Sequence, residues 1–447
     1  MRVLFATIPH PTHSLQIVPY AQALQNAGHE VCVVTGPGGE GDLLSGGLAA
    51  VSFGEPVPLS LANWKKHGLL PSQEMRERFA DAFDLDPVDR DHWDVFYQYY
   101  SLNARFFLPR EHRADIDGMV EFAKVWKPDL VLWESWFPLG GVIARACGAA
   151  HARVLLGPDY LGWSVELFRE RGNAAVAALG GNPVVEAVAP VAERHGLRVD
   201  DDLLLGQVTI DPLPEELRLS RRLTTLPVRG IPYHGGHVLP EWLHRRPERP
   251  RIAVSLGLSV RLWQTGGDTR VPKIMEAVEG LDVEVVATLS ENQLASTPRV
   301  PDNVRVVEFV PLSHLLPTCT AIVYHGAGGT FRAAQAAGIP QMIIDTEEPH
   351  RQIFSGEGDD IRVSNADRHQ DSWFCSKYIT ERGAGVRMNH QKQSAEEIRA
   401  ELVRLLEDPA YRKGAATLRD EWLAKPSPAE IIPDLAALAD GGERGGR

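Results

Sequence analysis

Twice along this chain an apolar run gives way to a loop, then a helical period, then another apolar run. That rhythm restricts the fold more than any other feature. Val3–Thr7 reads as a strand, and Ser14 as the cap of a helix with Leu15, Val18, Ala21 and Leu24 on its apolar face. Gly28 ends that helix, and Glu30–Thr35 is the next strand. The pattern recurs as strand Leu130–Trp133, helix Leu139–Cys147 closed by Gly148, and strand Arg153–Leu156. A second series follows the Pro- and Arg-rich stretch Leu239–Pro250. Its strands are Ile252–Leu256, Val283–Ala287, Val304–Val307, Ala321–Tyr324 and Gln341–Ile344, with helices over 270–279 and 330–337. Continuous apolar strands alternating with helices predict an α/β protein with two doubly wound parallel sheets, joined near residues 225–250.

Two stretches break the rhythm. Residues 60–126 mix charges and aromatics at helical spacing (Trp93, Phe96, Tyr97, Tyr100, Phe106, Phe107) and read as a helical insertion. Its aromatics fit a pocket or partner surface and ordinary helix packing equally well. Asp345–Phe374 is polar and aperiodic, a length of loop that is either functional or disordered. Helical patterns at about 394–406, 409–424 and 428–440 close the chain, and Pro426 and Pro428 would let the last helix cross back to the first domain. The expected layout is a domain over 1–225, a linker over 226–250, a domain over 251–425, and a crossover helix with a disordered tail over 426–447.

With 447 residues, 44% of them hydrophobic, the chain can bury two cores. A net charge of −13 argues against nucleic acid and against an acidic membrane surface as partners. Cys32, Cys147, Cys319 and Cys375 lie far apart, as buried thiols of a reducing compartment would. Neither a signal segment nor an apolar run long enough to span a membrane stands out, and a cytoplasmic protein is expected.

His325-Gly-Ala-Gly-Gly-Thr330 carries the chemistry. It follows the apolar run Ala321–Tyr324 and opens a small-residue helix. Glycines let a ligand approach the backbone, and free N–H groups at a helix start attract phosphate. Thr330 offers a hydroxyl donor and His325 an imidazole donor. No Lys follows the last glycine, and the GxGxxG pattern is missing here and after the first strand, so this turn is neither a nucleotide P-loop nor a dinucleotide fingerprint. A diphosphate suits the turn.

Together these residues resemble the two-domain GT-B glycosyltransferases that attach sugars to natural products, above all bacterial enzymes using dTDP-deoxysugars on macrolides and aromatic polyketides. The likeness runs through AGHEV at Ala27–Val31, PDLVLWE at Pro128–Glu134, LLGPD at Leu155–Asp159 and DPLPEELRL at Asp211–Leu219. It continues in SLGLS at Ser255–Ser259, FVPLSHLLP at Phe309–Pro317, and HGAGGT followed by AAGIPQ at Ala336–Gln341. The resemblance implies two Rossmann-like domains facing a cleft, with the terminal helix crossing back. It sets Phe309 against the nucleotide base and the Val310 backbone at its edge. His325, Gly328, Gly329 and Thr330 then bind the diphosphate, with Ser259 helping. The donor is a dTDP-sugar that leaves as TDP, and no cofactor is implied.

For catalysis the residue is His13, in the loop after the first strand, where an open sheet places its site. Its imidazole can take a proton from an acceptor hydroxyl. Glu134, at the end of its strand, would orient that ring, or else cap or pair elsewhere. His10 is a second imidazole in the same loop, and His13 is chosen by its motif position. No metal is expected: Asp84-Leu-Asp86 and Asp115-Ile-Asp117 carry the letters of a cation motif but read as exposed charges in the insertion, and His234-Gly-Gly-His237 reads as a turn.

The family's Asp-Gln or Asp-Thr pair, which meets the sugar, falls by counting from Gln341 on Pro349-His350. His350 or Glu348 would do that work, and the insertion is a lid or a plain surface loop. Expected partners are the nucleotide sugar and a small-molecule aglycone, and the resemblance adds a cytochrome P450-like helper docking on the aromatic region and a homodimer. Three activities fit: an inverting O-glycosyl transfer, a C-glycosyl transfer to an aromatic carbon, and an inactive nucleotide-sugar binder or auxiliary subunit.

Overall fold

The computed structural model describes residues 1–55, 72–100, 114–179, 181–220, 222–259, 261, 268–347, 353–357, 362–364 and 368–442. The chain divides into two compact units, Met1–Gly230 with Pro426–Arg447, and Ile231–Lys425.

The first unit is built on seven parallel strands in the order β3-β2-β1-β4-β5-β6-β7. They are β1 (Arg2–Ala6), β2 (Glu30–Thr35), β3 (Ala49–Ser52), β4 (Leu130–Glu134), β5 (Ala150–Val154), β6 (Val208–Asp211) and β7 (Thr225–Pro227). The central strands β1 and β4 pair Val3 with Leu130 through Ala6 with Trp133. Every residue of β4 and β5 is buried, as a sheet covered on both faces requires. The helix Ile432–Gly442 packs on β5 and β4, so the last helix does return to the first unit.

The second unit carries six parallel strands in the order β10-β9-β8-β11-β12-β15. These are β8 (Arg251–Ser255), β9 (Glu284–Thr288), β10 (Val304–Val307), β11 (Ala321–Tyr324), β12 (Gln341–Asp345) and β15 (Gly385–Asn389). Ile252, Val254, Val285, Val323, Met342 and Ile344 join the helices Arg270–Val278 and Ala395–Glu407 in one core. Between β12 and β15 the aperiodic stretch holds a short antiparallel pair, β13 (Ile353–Ser355) with β14 (Arg362–Ser364). It is a hairpin, not a structureless loop.

Several elements start elsewhere than the sequence predicts, and three of them bear on the site or on the sheet behind it. The first helix begins at Pro11, whose missing N–H and fixed φ suit a first helical position, and His10 caps it, Nδ1 accepting from the Thr12 amide at 3.3 Å. Ser14 is therefore inside the helix and buried, and His13 stands in its first turn, not in a loop. β5 begins three residues early because Gly148, at φ +76°, turns the chain straight into the sheet. The helix of the glycine turn spans Gly328–Ala337, so two of its glycines are helical.

The insertion is helical where described: Gln73–Ala82, Pro87–Val95 and Ala114–Trp126. Packing is the reading that holds for its aromatics, since Trp93, Phe96 and Tyr97 are buried against one another and against Phe79, Phe83 and Phe168. The Tyr100 side chain, Phe106 and Phe107 lie outside the described residues. Neither Asp-x-Asp stretch is a pair of free charges. Asp86 caps a helix through the Val88 and Asp89 amides, both at 2.9 Å, while Asp117 holds Arg194 and His195. The LLGPD motif is likewise a brace: Asp159 takes both guanidinium nitrogens of the fully buried Arg153, at 2.7 and 2.6 Å.

Gly141 in the helix Leu139–Cys147 shows how tightly this unit is packed. A Cβ there would lie 1.9 Å from the Leu203 carbonyl oxygen, which is main chain and cannot swing away. Gly141→Ala is expected to destabilise the first unit by about 1–3 kcal/mol. A lowered midpoint in thermal unfolding checks this, and an unchanged one refutes it.

Candidate functional site

Both sheets reverse their winding at one point: the first between β1 and β4, the second between β8 and β11. At such a point the connections leave to opposite sides, and the carboxyl ends of two neighbouring strands stay open for a ligand. His13 and Glu134 belong to the first of these places, and Ser259, His325, Gly328, Gly329 and Thr330 follow the strands that border the second, whereas Phe309 and Val310 follow the edge strand β10.

In the first unit His13 follows β1 and Glu134 ends β4. Nδ1 of His13 lies 3.2 Å from Oε1 of Glu134, whose side chain is wholly buried while the imidazole keeps 19% of its surface. The two atoms face each other off the line of a hydrogen bond. The other carboxylate oxygen accepts the Trp136 amide at 2.7 Å, which fixes Glu134 in place. With Nδ1 facing a carboxylate the ring proton belongs there, and Nε2 is left as a base.

His10 cannot share that task. It is buried at the helix cap with its Nδ1 2.8 Å from the Thr12 hydroxyl, and its ring meets His13 edge-on at 5.5 Å. Burial first, and the neighbouring His13 second, push its pKa down to about 3.

In the second unit β11 ends at Tyr324 and the chain turns through His325, Gly326 and Ala327 into the helix. Gly326, at φ +85°, must be glycine: a Cβ would lie 2.3 Å from the Ser372 side chain. His325 is buried, its Nδ1 3.4 Å from the Ser255 carbonyl. A carbonyl only accepts, so Nδ1 carries the proton and Nε2 presents a lone pair. That lone pair lies under Gly257, where a Cβ would be 2.4 Å away and φ is +87°. Burial holds His325 well below the usual imidazole range, and the ring stays neutral. His325 thus ties the Ser255–Ser259 turn, at its Ser255 end, to the glycine turn.

The first helix amide, Gly328, already donates to Oδ2 of Asp371 at 3.0 Å. Among the described residues nothing engages the Gly329 and Thr330 amides, and no described atom lies near where a Gly329 Cβ would sit. Asp371 comes from the stretch after the hairpin, and with it His369, whose ring stands edge-on to His325 at 5.1 Å. Nothing in the sequence marks these two, because they reach the turn only through the fold. His350 and Glu348, by contrast, lie outside the described residues. Phe309 is 38% exposed and rests on the His237 imidazole, ring centres 4.5 Å apart. Val310 is buried, and among the described residues nothing engages its main-chain groups. Nothing in the sequence marks His237, whose loop reads as a turn. Among the described residues no group of three or more His, Cys, Asp or Glu could hold a metal ion, and no helix is long and apolar enough to cross a membrane.

The N-terminal domain model described as erythromycin biosynthesis protein CIII-like matches residues 22–257, and the corresponding C-terminal model matches 272–353 and 363–438. The chain belongs to the erythromycin biosynthesis protein CIII-like family. It is a glycosyltransferase with the GT-B architecture. Aclacinomycin-T 2-deoxy-L-fucose transferase of Streptomyces galilaeus is 36% identical, across 100% of this chain and 99% of its own length. Tylactone mycaminosyltransferase of Streptomyces fradiae is 38% identical, across 98% of this chain and 92% of its own. Among solved structures, the glycosyltransferase VinC in complex with dTDP is 29% identical with a TM-score of 0.74, covering 99% of this chain and 100% of that one. The family's C-terminal model passes over residues 354–362, most of the hairpin.

His10 gives this site a pH signature. Its folded pKa lies far below its unfolded value near 6.5, so the unfolded chain binds the extra proton first. Its contribution is intact above pH 6.5 and shrinks by about 1.4 kcal/mol per unit as pH falls towards 3. His10→Asn keeps an oxygen for the cap and should flatten that part of the stability–pH curve. Parallel curves for the two proteins between pH 6.5 and 4 would contradict this.

Proposed function

We propose that this chain moves a deoxysugar from a dTDP-linked donor to a hydroxyl of a polyketide-type aglycone, as a step of antibiotic biosynthesis, inverting the anomeric carbon with His13 as general base. The observation that carries the mechanism is the His13–Glu134 pair, 3.2 Å apart at the switch point of the first sheet. The substrate classes rest on the relatives, whose names specify 2-deoxy-L-fucose and mycaminosyl transfer, and on VinC, solved with dTDP.

Nε2 of His13 takes the acceptor proton as that oxygen attacks the anomeric carbon. The bond from that carbon to the diphosphate oxygen breaks on the opposite face, and dTDP leaves. Glu134 balances the imidazolium that forms. The Gly329 and Thr330 amides and the Thr330 hydroxyl take up the leaving charge, so no cation is needed in this reading. Ser259 assists from the turn that His325 braces, and Gly328 acts through Asp371. Phe309 stacks on the base and the Val310 main chain meets its edge. Asp371-Ser372 stands where the family's sugar-contacting pair is needed. This assignment is supported by the family's C-terminal model, which leaves out 354–362 and resumes at 363, so counting from that side leads to Asp371-Ser372 and not to His350.

Transfer is followed by mass spectrometry with dTDP-deoxysugars and polyketide aglycones, and the product's anomeric coupling constant reports its configuration. His13→Ala should lower kcat/KM by about 10²–10⁴ and leave the Kd for dTDP unchanged, since it touches only the acceptor step. Glu134→Gln should lower it at least about tenfold. Turnover by His13→Ala at the wild-type rate, or a product with retained configuration, would refute the mechanism. Gly329→Val fills the open space beside the helix amides and should abolish dTDP binding. Unaltered binding by that variant would place the diphosphate elsewhere.

A further inference from the structure

One imidazole beside the glycine turn has an unused N–H. His369 accepts the Asp371 amide at Nδ1, 3.2 Å away, which puts its ring proton on Nε2. Among the described residues Nε2 has no partner, and the side chain keeps 18% of its surface. Two independent contacts fix the ring at the turn. It stands edge-on to His325 with centres 5.1 Å apart, and two residues later Asp371 holds the Gly328 amide at 3.0 Å. Burial first, then Arg270, lower the His369 pKa against the opposing pull of Asp371, so the ring is neutral and the proton stays on Nε2.

His325 cannot fill this role in the same tautomer. Its proton goes to the Ser255 carbonyl, and its Nε2 lone pair is buried without a partner under Gly257. A lone pair repels phosphate oxygen, whereas an N–H attracts it. Among the described residues this end of the helix offers two amides, the Thr330 hydroxyl and the Nε2–H of His369.

We propose that His369, through Nε2–H, is a direct ligand of the donor's diphosphate, supplied by the stretch that follows the inserted hairpin. The inference rests on the reading that the diphosphate binds at Gly329 and Thr330. It assigns the hairpin stretch a part in donor binding: residues 354–362 fall outside the family's domain model, and the chain returns from them to the turn through His369 and Asp371.

Isothermal titration of the full chain with dTDP, and separately with thymidine, tests it. His369→Ala should raise the Kd for dTDP by about tenfold or more, the worth of one charge-assisted hydrogen bond, and leave thymidine binding as it was. His369→Asn separates contact from support. Its amide oxygen can still accept the Asp371 N–H but offers no donor at the Nε2 position, so it should bind dTDP as weakly as His369→Ala. Wild-type dTDP affinity in either variant overturns the proposal, and so does equal weakening towards thymidine. If Gly329→Val abolishes dTDP binding while His369→Ala does not, this inference alone falls. Should the wild-type chain fail to bind dTDP, the diphosphate reading falls with it.

Discussion

The site depends first on how a parallel sheet ends. Where strand order reverses, adjacent strands send their connections to opposite faces, and no crossover covers their carboxyl ends. Both sheets do this, β1 beside β4 and β8 beside β11. Helices starting from those ends bring unpaired amides to the opening, so charge and polar groups can sit there without disturbing the cores. His13 with Glu134, and Gly329 with Thr330, occupy equivalent places in the two units for that one reason.

Four histidines show how little the residue type says by itself. His13 faces a buried carboxylate and keeps Nε2 free. His10, three residues earlier, has its Nδ1 taken up by a helix cap. His325 gives its proton to a main-chain carbonyl and becomes a brace between two turns. His369 takes an amide on Nδ1 and so presents a donor. Each role follows from which nitrogen is engaged and by what, and no residue count supplies that.

The inserted hairpin leaves its roots intact because a buried carboxylate clamps them. Asp345, at the end of β12 and fully buried, accepts from the Ser372 hydroxyl and from Arg387 Nε at 2.8 Å and Nη2 at 3.1 Å. β12, the start of the following helix and β15 are thereby joined at one point, whatever length of chain passes between Asp345 and Asp371. An insertion there alters what borders the glycine turn while the sheet behind it stays in register.

Local chemistry wrote most of the fold into the sequence. Apolar runs gave the strands and punctuating glycines their boundaries, because burial on both faces of a parallel sheet demands unbroken hydrophobic segments. Leu139–Cys147 and Val304–Val307 match to the residue, whereas β5 is displaced because Gly148 turns the chain earlier than the apolar run suggests. The glycine turn and the strand-end positions of His13 and Glu134 were also legible, being properties of a few adjacent residues. Only the tertiary structure decided that Asp371 and His369 meet that turn, that Phe309 rests on His237, and that Trp93, Phe96 and Tyr97 of the insertion pack into a core. Those contacts join segments tens of residues apart, and their pairing depends on strand order and on where a hairpin returns, which no local pattern encodes.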